Sequence, residues 1–231
     1  MNDPLLTKDQ LEALRRIDTC VVSNAIEVFN VRLRNTGYAD ASIRCMFENM
    51  LPVAGYAATA RLRTGEPPMT GRIYHDRAEW WNSLLRVPAP RIAVVEDADR
   101  PPGVGAFLGD MHAAILKALG CVAYVTNGAV RELPRVRDQG FQLFAGTVAV
   151  SHAYAHMFDL GAVVKIGGLE VRPGDLLHGD RHGILTVPKQ IAAEVPAVAA
   201  KLQDQENKII ELCRSKDFSV EKLSQMMNEP V

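Results

Sequence analysis

The sequence predicts an α/β fold, and three observations carry it. Between residues 91 and 144, apolar runs of strand character alternate with helical ones, the order expected of parallel strands layered with helices. Residues 147–187 break instead into short strands separated by GG, RPGD and GDRHG, which is turn chemistry. Beyond Pro188, the apolar spacing of Ile191, Val195, Val198 and Leu202 is helical and runs toward Leu212. The chain reads as one domain over 1–231, with helices at both ends.

In order along the chain, Thr7 to Ile17 is the first predicted helix. Thr7 caps it, Gln10 completes a capping box, and Leu11 and Leu14 give it an apolar face. A second helix is expected over Ser23 to Phe29. Gly55 to Arg63 reads as a strand that places Arg61 and Arg63 on one face. Residues 64–76 form a loop by their Gly, Pro and Thr content. Glu79 to Val87 is a short helix that Pro88 and Pro90 end. Arg91 to Glu96 is a strand, 97–105 a loop, and Asp110 to Leu119 a helix stopped by Gly120. Cys121 to Thr126 is a buried strand, after which Asn127-Gly128 is expected to turn the chain. Val130 to Arg137 reads as a short helix, and Gln142 to Phe144 begins another strand. The short strands of the β-rich region are 161–166, 169–171, 175–178 and 184–187. Pro188 stands where the C-terminal helix would begin, giving a helix over about 188–214. A small extra helix follows from about Lys216.

Composition excludes several classes. The 231 residues carry 26 Lys+Arg against 27 Asp+Glu, a net charge of −1 that argues against a protein working by holding nucleic acid phosphates. No apolar run approaches the ~20 residues that span a bilayer, so no membrane association is expected. The mixed-charge N-terminus does not read as a secretory signal. Cys20, Cys45, Cys121 and Cys213 show neither CxxC nor zinc spacing. They read as reduced thiols in a cytoplasmic protein.

The segment most informative about chemistry is Gly109 to Glu132, GDMHAAILKALGCVAYVTNGAVRE. Gly109-Asp110 opens a helix, whose first amides are unpaired and favour an anion. The amides near Asp110, Met111 and His112 suit a small carboxylate. If the helix and the next strand are parallel neighbours, Arg131 returns to the same end as Asp110, where α/β layers place ligands. Glu132 offers oxygen to a hard cation. Taken alone, Gly-Asp before a helix is ordinarily a cap, and Arg-Glu a solvated pair.

Asp110, twenty intervening residues and then Arg131-Glu132 resemble the signature of the RraA-like / 4-hydroxy-4-methyl-2-oxoglutarate aldolase family. GCVAYVTNGAVRE and VRPGDLLHGDRHGILTVP (171–188) resemble its flanking words, and VSNA (22–25) resembles a helix start of the family. The resemblance spans about 20–190. It implies a swivelling β/β/α sandwich, assembled as a homotrimer or homohexamer with sites at subunit interfaces. It implies a divalent-metal-dependent lyase that cleaves a 4-hydroxy-2-oxo acid to pyruvate, with oxaloacetate decarboxylation as a companion activity. The partner is then a small 2-oxo acid, and the cofactor Mg2+ or Mn2+.

Roles follow from the resemblance. Amides after Gly109, at Met111 and His112, hold the pyruvyl carboxylate. Arg131 stabilises the enolate oxygen. Asp110 orients a proton-moving water, and Glu132 holds the metal mostly through waters. His112 is a further candidate substrate contact. Two alternatives within the resemblance are a non-catalytic, protein-binding regulator of ribonuclease E and a quinone-pathway methyltransferase. The residues present favour the lyase over the first. The lack of a glycine-rich methyl-donor loop speaks against the second.

Three departures stand out. Glu132 replaces the usual Asp, and Asn127 replaces an Asp before Gly128. SHAYAHMFD (151–159) stands where many members carry a shorter arginine-containing stretch. On a helix, His152, His156 and Asp159 would share a face and suit a metal. The other reading is a polar loop or subunit contact. His178 and His182, flanking Asp180, read as structural or supporting residues.

Overall fold

The computed structural model describes residues 5–68 and 77–228; the predicted loop 64–76 lies outside the described residues from 69 onward. The first helix, α1 (Lys8–Arg15), forms as its capping box dictates. Thr7 Oγ1 accepts the Gln10 N–H at 3.2 Å, and Gln10 Oε1 accepts the Thr7 N–H at 2.8 Å. α2 (Thr19–Val28) begins at Thr19 rather than at the expected Ser23. Its N-terminal acceptor is remote in sequence: Asp180 Oδ2 takes the Thr19 N–H at 2.9 Å.

The elements that follow are β1 (Arg44–Cys45), β2 (Val53–Arg63), α3 (Arg77–Leu85), β3 (Arg91–Asp97), β4 (Ala106–Leu108) and α4 (Asp110–Ala118). Next come β5 (Cys121–Val130), α5 (Leu133–Asp138), β6 (Gln142–Val148) and β7 (His156–Phe158). The last are β8 (Val164–Ile166), β9 (Leu169–Val171), β10 (Leu176–Asp180), β11 (Gly183–Val187), α6 (Val195–Arg214) and α7 (Val220–Met227). The main sheet has the order β1-β6-β5-β3-β2-β10-β11, with β4 on β5 and β7 on β2. The pairs β2–β3, β3–β5, β4–β5 and β5–β6 are parallel, as the alternating pattern predicts. β8 and β9 form a separate hairpin.

Three layers result. α3, α4 and α5 lay Trp80, Leu84, Leu116 and Val136 on one face of the sheet, against Ala93, Val95 and Tyr124. The β8–β9 hairpin lays Val164, Ile166 and Val171 on the other face, against Ile92, Val94 and Val125. α1, α2 and α6 cover the β10–β11 end through Leu14, Ile26 and Val195. Each fully buried Leu, Ile or Val contributes about 1.5–3 kcal/mol relative to exposure.

Four expectations are corrected. Asn127-Gly128 is not a turn; β5 runs through it with a ladder irregularity between Thr126 and Ala129. Asn127 Oδ1 accepts the Asp97 N–H at 2.7 Å, and its Nδ2 donates to the Asp97 carbonyl at 3.0 Å. The side-chain amide therefore stands in for a strand partner. The helix expected over Val130 to Arg137 is α5, which starts at Leu133 because Glu132 sits in the left-handed region at φ 56°. The C-terminal helix starts at Val195, not Pro188. Pro196 has no N–H to give Ala192, so an α-helical ladder cannot run through, and 188–194 close as turns instead. His152, His156 and Asp159 share no helix, because 156–158 is strand β7 paired with β2.

His178 is structural, as one reading had it. It is fully buried, and its Nε2 lies 3.0 Å from the Leu14 carbonyl. A carbonyl only accepts, so Nε2 carries the hydrogen and Nδ1 accepts from Thr19 Oγ1 at 3.0 Å. Asp180, also buried, takes the His182 N–H at 2.8 Å and lies 3.1 Å from its Nδ1. The four cysteines are free thiols. Among the described residues, no helix is long and apolar enough to cross a membrane.

Candidate active site

The site is built at the C-terminal ends of two parallel strands. β4 leads through Gly109 into α4, and β5 ends at Arg131-Glu132. The Arg131 N–H donates to the Leu108 carbonyl at 3.0 Å, which locks the two strand ends together. Asp110 and Arg131 therefore meet as the parallel arrangement predicts.

Gly109 is needed here for space rather than for a special φ. A β-carbon at this position would lie 2.3 Å from Glu132 Oε2 and 3.2 Å from Arg131 Cγ. Glu132 Oε2 accepts the Asp110 N–H at 3.0 Å, and Oε1 accepts from Arg131 Nη2 at 2.9 Å. The Met111 N–H donates to Asp110 Oδ1 at 2.7 Å. Two amides at the start of α4 thus hold the protein's own carboxylates. Asp110 Oδ2 meets Arg135 Nη1 at 3.3 Å, and Gln139 Nε2 donates to the Asp110 carbonyl at 3.0 Å. A hydrogen bond with Glu132, the Met111 N–H and Arg135 hold the Asp110 carboxyl below the usual carboxylate range. Arg131 Nε is buried with no acceptor among the described residues.

A cavity of about 260 Å³ opens beside these groups. Its lining includes all six residues that sequence nominated: Gly109, Asp110, Met111, His112, Arg131 and Glu132. Among the described residues, Ala106, Phe107, His152 and Ala155 also line it. The His112 and Phe107 rings lie 4.4 Å apart between centroids. A volume below the ~300–1,000 Å³ of drug-sized pockets suits a small acid.

His152 is the residue whose place in the site sequence left open. Its segment reaches the cavity through non-local bonds: Ala106 N–H to the Ser151 carbonyl at 2.9 Å, and Tyr154 N–H to the Thr64 carbonyl at 3.1 Å. Neither has a local sequence signal. His156 and His182 are absent from this lining. Among the described residues no group of three or more His, Cys, Asp or Glu forms a metal cage. Among the described residues, Asp110 and Glu132 are the carboxylates that line this cavity and could meet a hard cation.

Comparison with known proteins agrees with this architecture. A family model described as Aldolase/RraA, RraA-like, matches residues 19–186. A protein of Halalkalibacterium halodurans named "Putative 4-hydroxy-4-methyl-2-oxoglutarate aldolase" is 30% identical over 99 residues, 42% of this chain. That match spans about half, 47%, of the relative's own length. An uncharacterised protein from Pseudomonas syringae pv. tomato shares the fold at TM-score 0.74 and 22% identity, over 98% of this chain and 96% of that one. Streptomyces coelicolor RraAS2, described as an unusual member of the RNase ES inhibitor RraA protein family, shares it at TM-score 0.69 and 22% identity, over 88% and 96%. The family model spans both the strand ends that build the cavity and the β10–β11 hairpin, and on that ground the chain belongs to the RraA-like family.

Proposed function

We propose that this chain is a divalent-metal-dependent lyase that cleaves a 4-hydroxy-2-oxo acid to pyruvate and a second carbonyl compound, and that it also decarboxylates oxaloacetate. One observation carries the reading: Asp110, Arg131 and Glu132 meet at a single small cavity, with Arg131 Nε buried and lacking an acceptor among the described residues. An orphaned guanidinium N–H is suited to an anionic oxygen that arrives with the substrate. The aldolase name borne by the Halalkalibacterium halodurans relative supports it.

Both reactions generate an enolate of pyruvate. The carboxylate of the substrate binds at the start of α4, where the Met111 and His112 amides receive it once Asp110 Oδ1 leaves the Met111 N–H. Arg131 faces the 2-oxo oxygen and stabilises the charge that develops there. Asp110, kept ionised by its hydrogen bonds, orients a water that returns a proton to the enolate carbon. The Asp110 and Glu132 carboxylates fit Mg2+ or Mn2+, hard cations that take one or two carboxylates and keep several waters. When bound, the ion supplies Lewis-acid polarisation of the 2-oxo group. The assembly in this reading is a homotrimer or homohexamer.

The test is pyruvate release from 4-hydroxy-4-methyl-2-oxoglutarate and from oxaloacetate, with Mg2+, with Mn2+ and with chelator. Metal-dependent release is expected, and Arg131→Ala is expected to lower kcat/KM by about 100-fold or more. Release that ignores both the chelator and the substitution would sink the reading.

A further inference from the structure

We propose that His152 takes the proton from the C4 hydroxyl of the substrate, the event that opens carbon–carbon cleavage; this rests on the lyase reading above. His152 lines the same cavity as Arg131 and Asp110 but comes from a different segment of the chain. With the pyruvyl end held at Arg131, the part of the substrate beyond C3 needs a base from another wall.

Among the described residues, the carboxylates that line the cavity have other work in that reading. Asp110, paired with Arg135, orients the water that protonates C3, and Glu132, bonded to the Asp110 N–H and Arg131, stands at the metal. His152 has the right tautomer for a base. Its Nδ1 lies 2.9 Å from the Ala153 carbonyl, and because a carbonyl only accepts, Nδ1 carries the hydrogen. Nε2 is then the nitrogen with the lone pair. The same carbonyl steadies the ring when Nε2 becomes protonated, the arrangement that orients general-base imidazoles.

The segment that carries this ring is tethered beside the cavity at a few points. Ala153 adopts a left-handed φ of 48°, which side-chain-bearing residues rarely do. Gly105 lets the loop come close, since a β-carbon there would lie 2.7 Å from the His152 carbonyl oxygen. Thr64, fully buried, holds both sides: Oγ1 donates to Asp99 Oδ2 at 3.0 Å and accepts the Gly105 N–H at 2.9 Å.

The step balances without a further reactant. Nε2 takes the hydroxyl proton and the C4 oxygen becomes a carbonyl. The C3–C4 bond breaks, and its electron pair forms the C2–C3 double bond of the enolate, whose oxygen faces Arg131. A proton returned to C3 gives pyruvate. Oxaloacetate has no C4 hydroxyl, so its decarboxylation does not use this base.

His152→Ala and His152→Gln, measured on both substrates, test the proposal. Both variants are expected to lose about 100-fold in kcat on 4-hydroxy-4-methyl-2-oxoglutarate while oxaloacetate decarboxylation stays within about threefold of wild type. His152→Gln keeps an acceptor for the hydroxyl and is expected to hold KM near the wild-type value. Retained oxaloacetate activity also reports that the variants fold. Equal losses on both substrates, or no loss on either, would overturn the role of His152. Wild type that decarboxylates oxaloacetate but leaves the aldol intact would overturn it alone. Wild type that releases pyruvate from neither would remove the lyase reading and this proposal together.

Discussion

Glu132 Oε2 lies 3.0 Å from the backbone nitrogen of Asp110, a contact across twenty-two residues of sequence. One carboxylate thereby caps α4 and pairs with Arg131, joining the two strand ends that make the cavity. Its removal has both a structural and a chemical consequence. Glu132→Ala is expected to cost about 1 kcal/mol of stability, the usual worth of a lost helix cap. It should also weaken Mn2+ binding by about tenfold or more, read by calorimetric titration. Unchanged Mn2+ affinity would remove Glu132 from the metal site.

Gly109 makes a sharper probe, because its substitution adds only one methyl group. That methyl would stand 2.3 Å from Glu132 Oε2. Gly109→Ala is expected to displace the carboxylate, lower pyruvate release by about tenfold or more, and cost about 1–3 kcal/mol from overpacking. Kinetics and urea unfolding on the same preparation check it. Wild-type rates would show that the Glu132 contact is dispensable.

Asn127 tests the strand irregularity. Its amide both donates to and accepts from the Asp97 backbone, whereas a carboxylate can only accept. Burial already pushes the neighbouring Asp97 carboxyl up, and a second carboxylate would add repulsion. Asn127→Asp is expected to destabilise by about 1–3 kcal/mol at neutral pH in urea unfolding. A neutral result would mean that the ladder does not need the donor.

His178 sets a pH dependence. Burial lowers its pKa below the ordinary 6.5, outweighing the Leu14 carbonyl and Asp180, which raise it; Asp18 also faces it. The unfolded chain therefore binds this proton more readily than the folded one. The stability His178 gives is present in full above about pH 6.5 and is lost as pH falls below that, through the folded value. Burial pushes Asp180 up, but the Thr19 N–H, the His182 N–H and the Thr19 hydroxyl outweigh it and hold that carboxyl low. Its contribution is lost only at more acid pH. His178→Gln should be less stable than wild type at pH 8, by about 1–3 kcal/mol. It should also show a flatter decline between pH 6.5 and 5. An unchanged slope would assign the pH dependence elsewhere.

Much of this was legible in sequence where the determinants are local. The Thr7–Gln10 box fixes α1, and Gly109-Asp110 with Arg131-Glu132 fix the cavity, because parallel strands return chain ends to one side. What was illegible depends on residues far apart. Asn127-Gly128 carries turn chemistry, but the Asp97 backbone on the neighbouring strand keeps it extended. α2 starts early because Asp180 supplies an acceptor that no neighbour of Thr19 provides. Pro196 was a readable signal for the late start of α6. The segment with His152 is placed by Thr64 and Ala106; the polar-loop reading of it holds, but its spacing carries no sign of the cavity it reaches.

The sheet order gives the cavity walls unequal resistance to opening. Asp110 and Arg131 hang from β4 and β5, and β5 is flanked on both sides by β3 and β6 in parallel register. Amide hydrogens of β5 should exchange only when the whole domain opens. The 151–155 stretch hangs from a few bonds to Ala106 and Thr64 and should exchange by local opening. The cavity thus has an anvil and a spring: α4 and the end of β5 stay put while the His152 side gives. Substrates that differ beyond C3 would be accommodated by that side alone, without disturbing the groups that handle the pyruvyl half.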